Sequence, residues 1–315
     1  MNCCSEKPIV SLEAVQKLCK GHFTEYFENK VFRTIRQFDL IGKEEDLGVA
    51  ISGGKDSLTL LHILKKLSEQ NPKIKLTAIL INEGIEGYRN HTIATAQNFC
   101  DKNSIKLNIY SYEEEFGMPL DNMLKTLDVK PCTICGIFRR YLLNKKSKEL
   151  GFTKLATGHN LDDECQSVLM NQFKNNIQSS ARLGPKVGIK ENPNFVPRIK
   201  PLYLCTEKEV TTYAFLNGIL DVFNECPNVA KSYRAQVRDM LNDFEAKFPG
   251  TKYAIINSFL QTLPDLKSRF KEAEVNFCKS CGEPAAKDKC NACKYAAKLN
   301  KAKNESLIKI NNAIK

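Results

Sequence analysis

The sequence predicts an α/β protein in which a parallel sheet carries helices on both faces. Two observations support this class. Short apolar segments of strand length alternate with segments whose apolar residues recur at helical spacing. Polar loops that contain glycine follow two of the apolar segments. Alternation of this kind favours a parallel sheet, and ligands bind such sheets beyond the carboxyl ends of the strands.

The predicted elements follow one another regularly through the first half of the chain. Predicted strands cover residues 46–51, 75–81, 105–110 and 154–157, and predicted helices cover residues 57–70, 91–103, 135–150 and 162–173. In the first helix Leu60, Ile63, Leu64 and Leu67 share one face. Residues 206–263 read as mostly helical. Residues 294–315, with six lysines and one glutamate, predict a basic helix or a loose tail.

Composition limits the class of protein. The 315 residues are 42% hydrophobic and 26% charged, as in soluble globular proteins. No run of about 18 apolar residues predicts a membrane-spanning helix, and the polar first residues do not read as a signal peptide. The formal charge of +11 indicates an anionic partner, of which nucleic acid is the commonest. Thirteen cysteines without a secretion signal indicate the reducing cytoplasm, where cysteine pairs suggest metal or redox chemistry.

A glycine-rich loop between the first predicted strand and helix has the chemistry of a phosphate site. Glycines bring backbone N–H groups close to a ligand, and the helix N-terminus and Lys55 add positive charge. Asp56 could hold Mg²⁺, which prefers oxygen ligands. An ordinary glycine turn capped by serine is the alternative. The loop consists of Ser52, Gly53, Gly54, Lys55, Asp56 and Ser57.

All six residues of this loop match the motif of the PP-loop ATP pyrophosphatase superfamily, which the chain therefore resembles. Members of that superfamily adenylate a substrate and release pyrophosphate. By analogy with them, Asn82 at the end of the second strand lies close to the adenine pocket.

A second polar loop follows the fourth predicted strand, where it could share a site with the first. It carries Gly158 and His159, and we expect His159 either to contact ATP or to be a plain loop residue. Asp162 and Asp163 begin the next helix. One of them could cap that helix, and one could contact Mg²⁺ or the substrate base; the sequence does not choose between them.

Three cysteines in the middle of the chain form a candidate metal centre. Cys132 and Cys135 lie three residues apart at a helix start, which favours thiolates that bind one centre. Cys226, in a polar turn before proline, is the best third ligand. Structural zinc and a persulfide-carrying redox pair are alternatives. Arg139 and the adjacent Arg140, one turn later, could contact phosphate or RNA, or be a solvated face.

Three further cysteines are isolated in apolar or helical segments. Small core residues are the simplest interpretation of Cys100, Cys165 and Cys205.

Two cysteine groups near the chain ends predict zinc. Four cysteines near the C-terminus form two C-x₂-C pairs, which fit tetrahedral zinc. They are Cys278, Cys281, Cys290 and Cys293. Near the N-terminus, Cys19 and His22 form a C-x₂-H half-site whose partners would be the adjacent Cys3 and Cys4.

In this combination of motifs, over nearly its whole length, the chain resembles the TtuA-like tRNA 2-thiouridine synthetases. The resemblance implies that Cys132, Cys135 and Cys226 hold a 4Fe–4S cluster with one iron open for the sulfur being transferred. It also implies ATP and Mg²⁺ as reactants, zinc-binding ends, tRNA as partner and a homodimer. The sulfur donor would be a ubiquitin-like thiocarboxylate protein or free sulfide.

The expected reaction is adenylation of the C2 oxygen of a uridine, followed by its replacement with sulfur. The resemblance implies a target either at the wobble position, which we favour, or in the T-loop. A 2-thiocytidine synthase lacks the zinc-binding ends, and other PP-loop enzymes would not need the three central cysteines. The remaining alternative, a zinc-dependent RNA-binding module without catalysis, is disfavoured by the intact Lys55, Asp56 and Ser57.

The expected organisation has four parts. Residues 1–30 form an N-terminal zinc segment and residues 31–240 the catalytic domain. Residues 241–275 form a helical connector, and residues 276–315 a zinc knuckle with a basic tail.

Overall fold

The structure is a computed structural model. It describes residues 10–12, 16–190, 192–219, 226–228, 232–271, 276–285 and 287–313, and the side chains of those between residues 17 and 303.

A six-stranded sheet forms the centre of the molecule, with strand order β5-β4-β3-β6-β8-β7. Five strands are parallel, and only the edge strand β7 runs antiparallel to its neighbour β8. Val49 of β3 lies opposite Ala78 of β4 on one side and Ala156 of β6 on the other. The strands are β3 Glu45–Ile51, β4 Ile74–Asn82, β5 Lys106–Ser111, β6 Lys154–Thr157, β7 Lys186–Val187 and β8 Arg198–Ile199.

Twelve helices lie within the described part of the chain. Those of the first two thirds are α1 Lys20–Gln37, α2 Lys55–Gln70, α3 Arg89–Lys102, α4 Tyr112–Phe116, α5 Leu120–Thr126, α6 Pro131–Glu149, α7 Leu161–Phe173 and α8 Ile177–Ser180. The others are α9 Glu207–Leu216, α10 Tyr233–Lys247, α11 Thr251–Arg269 and α12 Asn291–Ala313. Two small hairpins, β1 Val10–Leu12 with β2 Gln16–Leu18 and β9 Asn276–Phe277 with β10 Pro284–Ala285, complete the fold.

Helices cover both faces of the sheet. Successive strand residues point to opposite sides, so the apolar strands present an apolar surface on each face. Ala78 and Leu80 of β4 face a core formed with α1, α2, α3 and α9. Ile79 and Ile81 face the other way, where Phe138 and Leu142 of α6 belong to the packing. This layering confirms the predicted α/β class and its parallel sheet.

The C-terminal helices and the last segment are continuous with this core. Helices α10 and α11 pack on α7 through a third apolar cluster that includes Val168 and Ile256. Helix α12 packs on α6, and Leu299 enters the same apolar cluster as Phe138. None of the described helices is long and apolar enough to cross a bilayer.

All four predicted strands and the four helices between them are confirmed, with boundaries that differ by a few residues. The predicted helical region is confirmed as α9, α10 and α11, and the basic C-terminal segment is a helix through Ala313. The sequence did not indicate β7 and β8, because a strand of two residues is too short to show alternation.

Candidate functional site

The glycine-rich loop turns sharply between the end of β3 and the start of α2. Gly53 has a φ of +82°, a left-handed conformation that favours glycine. A Cβ atom at Gly53 would lie 2.0 Å from the carbonyl oxygen of Thr92. The loop therefore requires glycine at this position for both its conformation and its packing.

Two serine hydroxyls hold the loop in shape. The Ser52 backbone N–H donates to Ser57 Oγ at 3.1 Å, and Ser57 Oγ donates to the Gly54 carbonyl at 2.9 Å. The Gly54 N–H donates to Ser52 Oγ at 3.2 Å. No side chain caps the first turn of α2, whose N-cap residue is Gly54. Free N–H groups and the helix dipole make such a terminus a ready site for an anion.

Lys55 extends from this helix start into a buried ion-pair arrangement. Its Nζ lies 3.0 Å from Asp56 Oδ2 and 3.1 Å from Glu207 Oε1, and its side chain is 9% exposed. Burial lowers the pKa of Lys55, but these two carboxylates outweigh burial and raise it above its ordinary value. Glu207, the first residue of α9, was not among the predicted site residues. Its only sequence signal was the capping box that Thr206 and Glu209 form at that helix start.

The second polar loop lies directly against the first. A Cβ atom at Gly158 would come within 2.9 Å of the Ser57 nitrogen, so glycine is needed for this close approach. Asn160 Nδ2 donates to Asp56 Oδ1 at 3.3 Å. The structure thus brings the two loops into one site, as the sequence predicts.

Asp162 is a structural residue by its contacts. It is 6% exposed, and its Oδ2 accepts a hydrogen bond of 2.8 Å from the Glu207 backbone N–H. Its Oδ1 pairs with Lys252 of α11, which also donates to Asn242 of α10 at 2.7 Å. The carboxylate of Asp162 therefore ties α7 to α9, α10 and α11.

Asp163 faces a cleft of about 140 Å³ that also contains Asp56, whereas Asp162 lines a separate cavity of about 590 Å³ with Lys252. Its Oδ2 accepts from the Asn160 N–H at 3.3 Å, and its Oδ1 lies 3.8 Å from Arg234 Nη1. Burial raises the pKa of Asp163 to about 6, although the positive charge of Arg234 opposes the shift. The cleft is lined by Asp56, Asn160, Asp163, Gln166, Glu207, Arg234, Ala235 and Arg238.

His159 lies among several cations. Its Nδ1 is 3.0 Å from Thr157 Oγ1. Desolvation, together with the charges of Lys200, Arg234, Arg139 and Arg198, lowers the pKa of His159 to about 3. The imidazole is therefore neutral near pH 7, and the positive charges around it favour an anionic ligand.

The three central cysteines converge at the start of α6. Cys132 Sγ lies 3.8 Å from the carbonyl oxygen of Asn228, two residues beyond Cys226. Cys135 and Cys226 are both half-buried against the same apolar cluster. The buried Tyr112 hydroxyl donates to the Cys135 carbonyl at 2.7 Å and fixes this turn. Chain folding has thus brought Cys226 to a pair about 90 residues away.

A chain of charged contacts connects the glycine-rich loop with these cysteines. Arg89 is 3% exposed and donates to the Ser52 carbonyl at 2.9 Å and to the Ile81 carbonyl. Its Nε lies 2.7 Å from Glu83 Oε2, and Glu83 Oε1 lies 3.4 Å from Arg139 Nη1. Burial raises the pKa of the Cys135 thiol, and the charge of Arg139 opposes that shift.

Glu83 and Arg89 were missed from sequence. Their only signal was their position just after the second strand. Asn82, at the end of that strand, accepts a hydrogen bond from the Gly84 N–H at 3.0 Å, so its side chain shapes the turn there.

The four C-terminal cysteines form a compact group. Their sulfur atoms all lie within 4.8 Å of one another, and the described part of the chain holds no other such group of three or more potential ligands. Cys281 Sγ and Cys290 Sγ are 3.7 Å apart. Four sulfurs at this spacing could hold one tetrahedral metal ion.

The N-terminal cysteine group is described only in part. Cys19 is buried, and its Sγ lies 3.4 Å from His22 Nδ1, which suits a shared ion. Its predicted partners Cys3 and Cys4 lie outside the described residues. The isolated Cys100, Cys165 and Cys205 are fully buried in apolar clusters, which confirms them as core residues.

Comparisons with known proteins identify a family and several similar proteins. A family model for the PP-loop domain matches residues 24–244. The tRNA 2-thiolation protein NcsA of Haloferax volcanii is 35% identical over 88% of this chain and 91% of its own length. The tRNA-5-methyluridine(54) 2-sulfurtransferase of Pyrococcus horikoshii is 37% identical over 88% of this chain and 87% of its own.

A solved structure is similar over nearly its whole length. It is the U34-tRNA thiolase NcsA from Methanococcus maripaludis with its [4Fe–4S] cluster, which is 33% identical. It superimposes with a TM-score of 0.81 over 94% of this chain and 95% of that one.

Proposed function

The chain belongs to the PP-loop family of tRNA 2-thiolation sulfurtransferases, and from this premise we propose that it adenylates a tRNA uridine and exchanges its C2 oxygen for sulfur. One observation supports this proposal above the others. The anion-binding loop and the three central cysteines lie in one region, connected through Arg89, Glu83 and Arg139.

The proposed first step takes place at the glycine-rich loop. The N–H groups from Gly53 to Ser57 bind the phosphates of ATP, and Lys55 contributes a full positive charge. Asp56, beside Lys55, holds Mg²⁺. The uridine C2 oxygen attacks the α-phosphate and pyrophosphate leaves, so that the oxygen becomes part of a good leaving group, AMP. In this proposal Asn82 and His159 lie at the edge of the nucleotide pocket.

The three central cysteines have the chemistry of an iron–sulfur site. Iron–sulfur clusters are held by cysteine thiolates, four in the common case. The other eight described cysteines lie in the core, the C-terminal group or the N-terminal half-site. Cys132, Cys135 and Cys226 would therefore hold a 4Fe–4S cluster by three thiolates. When bound, such a cluster supplies an iron position free of cysteine, where the incoming sulfur can be held.

The surroundings of these cysteines do two things for the reaction. Tyr112 positions the backbone of Cys135 through its hydroxyl. Arg139, held by Glu83, adds a positive charge that favours the thiolate form of Cys135.

Asp162 and Asp163 can now be given different roles. We propose that Asp163, which faces the cleft beside Asp56, contacts Mg²⁺ or the substrate base. Asp162 is committed to Lys252 and the Glu207 N–H, so it supports the site from outside.

Substitution of each aspartate by asparagine tests whether Asp162 supports the fold and Asp163 takes part in the reaction. Asp162→Asn leaves the buried Lys252 ammonium without its charge partner and should cost about 3 kcal/mol of unfolding free energy. Asp163→Asn keeps a side-chain acceptor at the helix start, so stability should change by less than about 1 kcal/mol, while turnover falls about 100-fold. Urea unfolding and single-turnover thiolation measure both. The reverse pattern would reject the assignment.

We propose zinc at the C-terminal cysteine group and, with Cys3 and Cys4 as partners, at Cys19 and His22. The C-terminal ion would join β9 and β10 to the start of α12, which packs on α6. The ion thereby supports the helix that carries Cys132 and Cys135.

Removing one ligand tests the C-terminal ion. Cys281→Ser should lower bound zinc by about one ion per chain and the melting temperature by roughly 5 °C. Lys279→Ala is the matched control from the same turn, because its ion pair with Asp288 is exposed. Zinc analysis and thermal melting decide the result. An unchanged zinc content in Cys281→Ser would remove the assignment.

Further parts of the proposal concern the setting of the enzyme. We propose the cytoplasm as its compartment, where reducing conditions keep cysteine thiols available for metal ligation. We also propose a homodimer, a ubiquitin-like thiocarboxylate protein or free sulfide as sulfur donor, and the four-part division at residues 30, 240 and 275.

Wobble uridine is the proposed target, because the thiolase with a TM-score of 0.81 is a U34 enzyme. The 37% identical Pyrococcus relative acts on position 54 instead. The decisive assay gives anaerobically reconstituted protein ATP, sulfide and one of two tRNA transcripts. One transcript retains only the wobble uridine as a candidate, and the other retains only the T-loop uridine.

Thiolation is read by mass spectrometry, and pyrophosphate release is measured alongside. Sulfur at the wobble uridine with ATP-dependent release of pyrophosphate is the expected result. Sulfur in the T-loop would overturn the position, and thiolation without ATP would overturn the adenylation step. Iron and acid-labile sulfide near four each per chain are expected.

A further inference from the structure

Two arginines from different parts of the chain lie close enough beside the cysteine site to interact electrostatically. Asn144 of α6 accepts from the Val196 N–H at 3.1 Å and donates to the Asn194 carbonyl at 3.1 Å. These bonds fix α6 against the segment that leads into β8. Arg140 lies one helical turn before Asn144, and Arg198 lies two residues after Val196. The geometry places Arg140 and Arg198 on the same side of this contact.

Arg140 also folds back towards the start of its helix. A Cβ atom at Gly136 would lie 3.0 Å from Arg140 Nη1. Gly136 follows Cys135 directly, so the guanidinium covers the turn that carries the central cysteine pair. Arg139 is its neighbour in the chain and lies close to the same turn.

These arginines have almost no counter-charge within the described residues. Neither Arg140 nor Arg198 has a carboxylate oxygen within 4.0 Å there, whereas Arg139 has Glu83, which already pairs more closely with Arg89. The second half of the same helix is different. Its lysines are all paired: Lys145 and Lys146 with Glu115, and Lys148 with Glu283.

Such a grouping of like charges is unfavourable in the absence of an anion. Burial and the charge of Arg139 lower the pKa of Arg140, and burial and the charge of Arg140 lower the pKa of Arg198. The second cause of each shift is repulsion between neighbouring guanidinium charges. An anionic ligand would remove the repulsion.

We propose that Arg140 and Arg198, together with Arg139, form a binding site for the phosphodiester backbone of the substrate RNA next to Cys135. Guanidinium groups form paired hydrogen bonds with phosphate oxygens. Phe195, three residues before Arg198, is 40% exposed and presents an aromatic face of the kind on which unpaired bases stack. This inference rests on the proposed tRNA substrate and names the residues that would position it.

The arginine group lies on different elements from the nucleotide loop, and only the charges of Arg139 and Arg198 reach His159 at the edge of the nucleotide pocket. ATP phosphates have their own uncapped helix start and their own cation, Lys55, at the beginning of α2. The arginine group instead lies on α6 and β8. An RNA strand held there would pass the cysteine site, where the base must arrive.

Binding of unmodified tRNA to the full chain, measured by fluorescence anisotropy at several salt concentrations, tests the proposal. Arg140→Ala and Arg198→Ala should each weaken binding about tenfold, and each should reduce the slope of log affinity against log salt by about 1. Arg198→Lys should recover part of the affinity because it keeps the charge. Arg33→Ala is the matched control, since Arg33 is an exposed arginine of α1; its affinity should stay within about twofold.

Two parallel measurements locate the cause of any loss. ATP binding and cluster iron should remain at wild-type values in Arg140→Ala and Arg198→Ala. Lost ATP affinity with unchanged tRNA binding would assign the arginines to the nucleotide and overturn the proposal, as would unchanged tRNA affinity in the double variant. If the wild-type protein neither binds nor thiolates tRNA, the proposed function itself is rejected. That result differs from both outcomes that would overturn only the role of the arginines.

Discussion

Replacing Cys132 by alanine is expected to lower tRNA thiolation by about 1,000-fold or more while the protein stays folded. The Cys132 side chain is exposed and contributes little to the core. Its loss removes one of three proposed cluster ligands, so bound iron and the visible absorption should fall with activity. Pyrophosphate release should persist, because the glycine-rich loop is untouched. Cys226→Ala should behave in the same way.

The matched control is a cysteine that the structure assigns to packing alone. Cys100→Ala removes a buried thiol from the main apolar cluster and should cost about 1–2 kcal/mol of unfolding free energy. It should keep its iron and its thiolation rate per folded molecule. Wild-type thiolation in Cys132→Ala and Cys226→Ala would show that the reaction does not use these cysteines.

Replacing Gly53 by alanine should abolish ATP-dependent pyrophosphate release. A side chain there is strained at a φ of +82°, and its Cβ would lie 2.0 Å from the Thr92 carbonyl oxygen. The loop must shift to relieve this contact, at a cost of about 3 kcal/mol, and the N–H groups that would bind phosphate shift with it. Urea unfolding and a nucleotide-binding titration measure the two effects.

Gly87→Ala is the control for Gly53→Ala, because it introduces the backbone strain without the steric clash. Its φ is +71°, yet nothing lies within 4 Å of an added Cβ. Gly87→Ala should therefore cost only about 1–2 kcal/mol and leave pyrophosphate release near its wild-type rate. If Gly53→Ala binds ATP as the wild type does, the loop is not the phosphate site.

Local pattern was enough to predict most of the fold. Alternating strand and helix periods identified β3 to β6 and the helices α2, α3, α6 and α7, since burial on one face of a sheet or helix makes apolar residues recur at a regular spacing. The short helices α4 and α5 were not predicted. The glycine-rich loop was equally readable, because its conformation requires particular residues at adjacent positions. The two-residue strands β7 and β8 left no such trace.

The site residues, too, could be predicted from sequence only where they belong to one local motif. Residues within one motif could be named from sequence, as with Ser52 to Ser57, Cys132 and Cys135. Cys226 was named from its polar turn before proline and from the family resemblance, and the structure brings it next to the pair. The different contacts of Asp162 and Asp163 could not be read, because adjacent residues of a helix point in different directions and only the neighbours of each decide its contacts.

The α/β class, the glycine-rich loop and the candidate metal ligands were readable from the sequence, because each depends on residues close together in the chain. Three features appear only in the folded chain: Glu207 pairs with Lys55, Arg89 and Glu83 connect the loop to the cysteines, and Arg140 lies close enough to Arg198 to affect its charge. The reason is physical. A buried charge is stable only with a partner, and that partner comes from whichever distant segment the packing of helices on the sheet brings alongside.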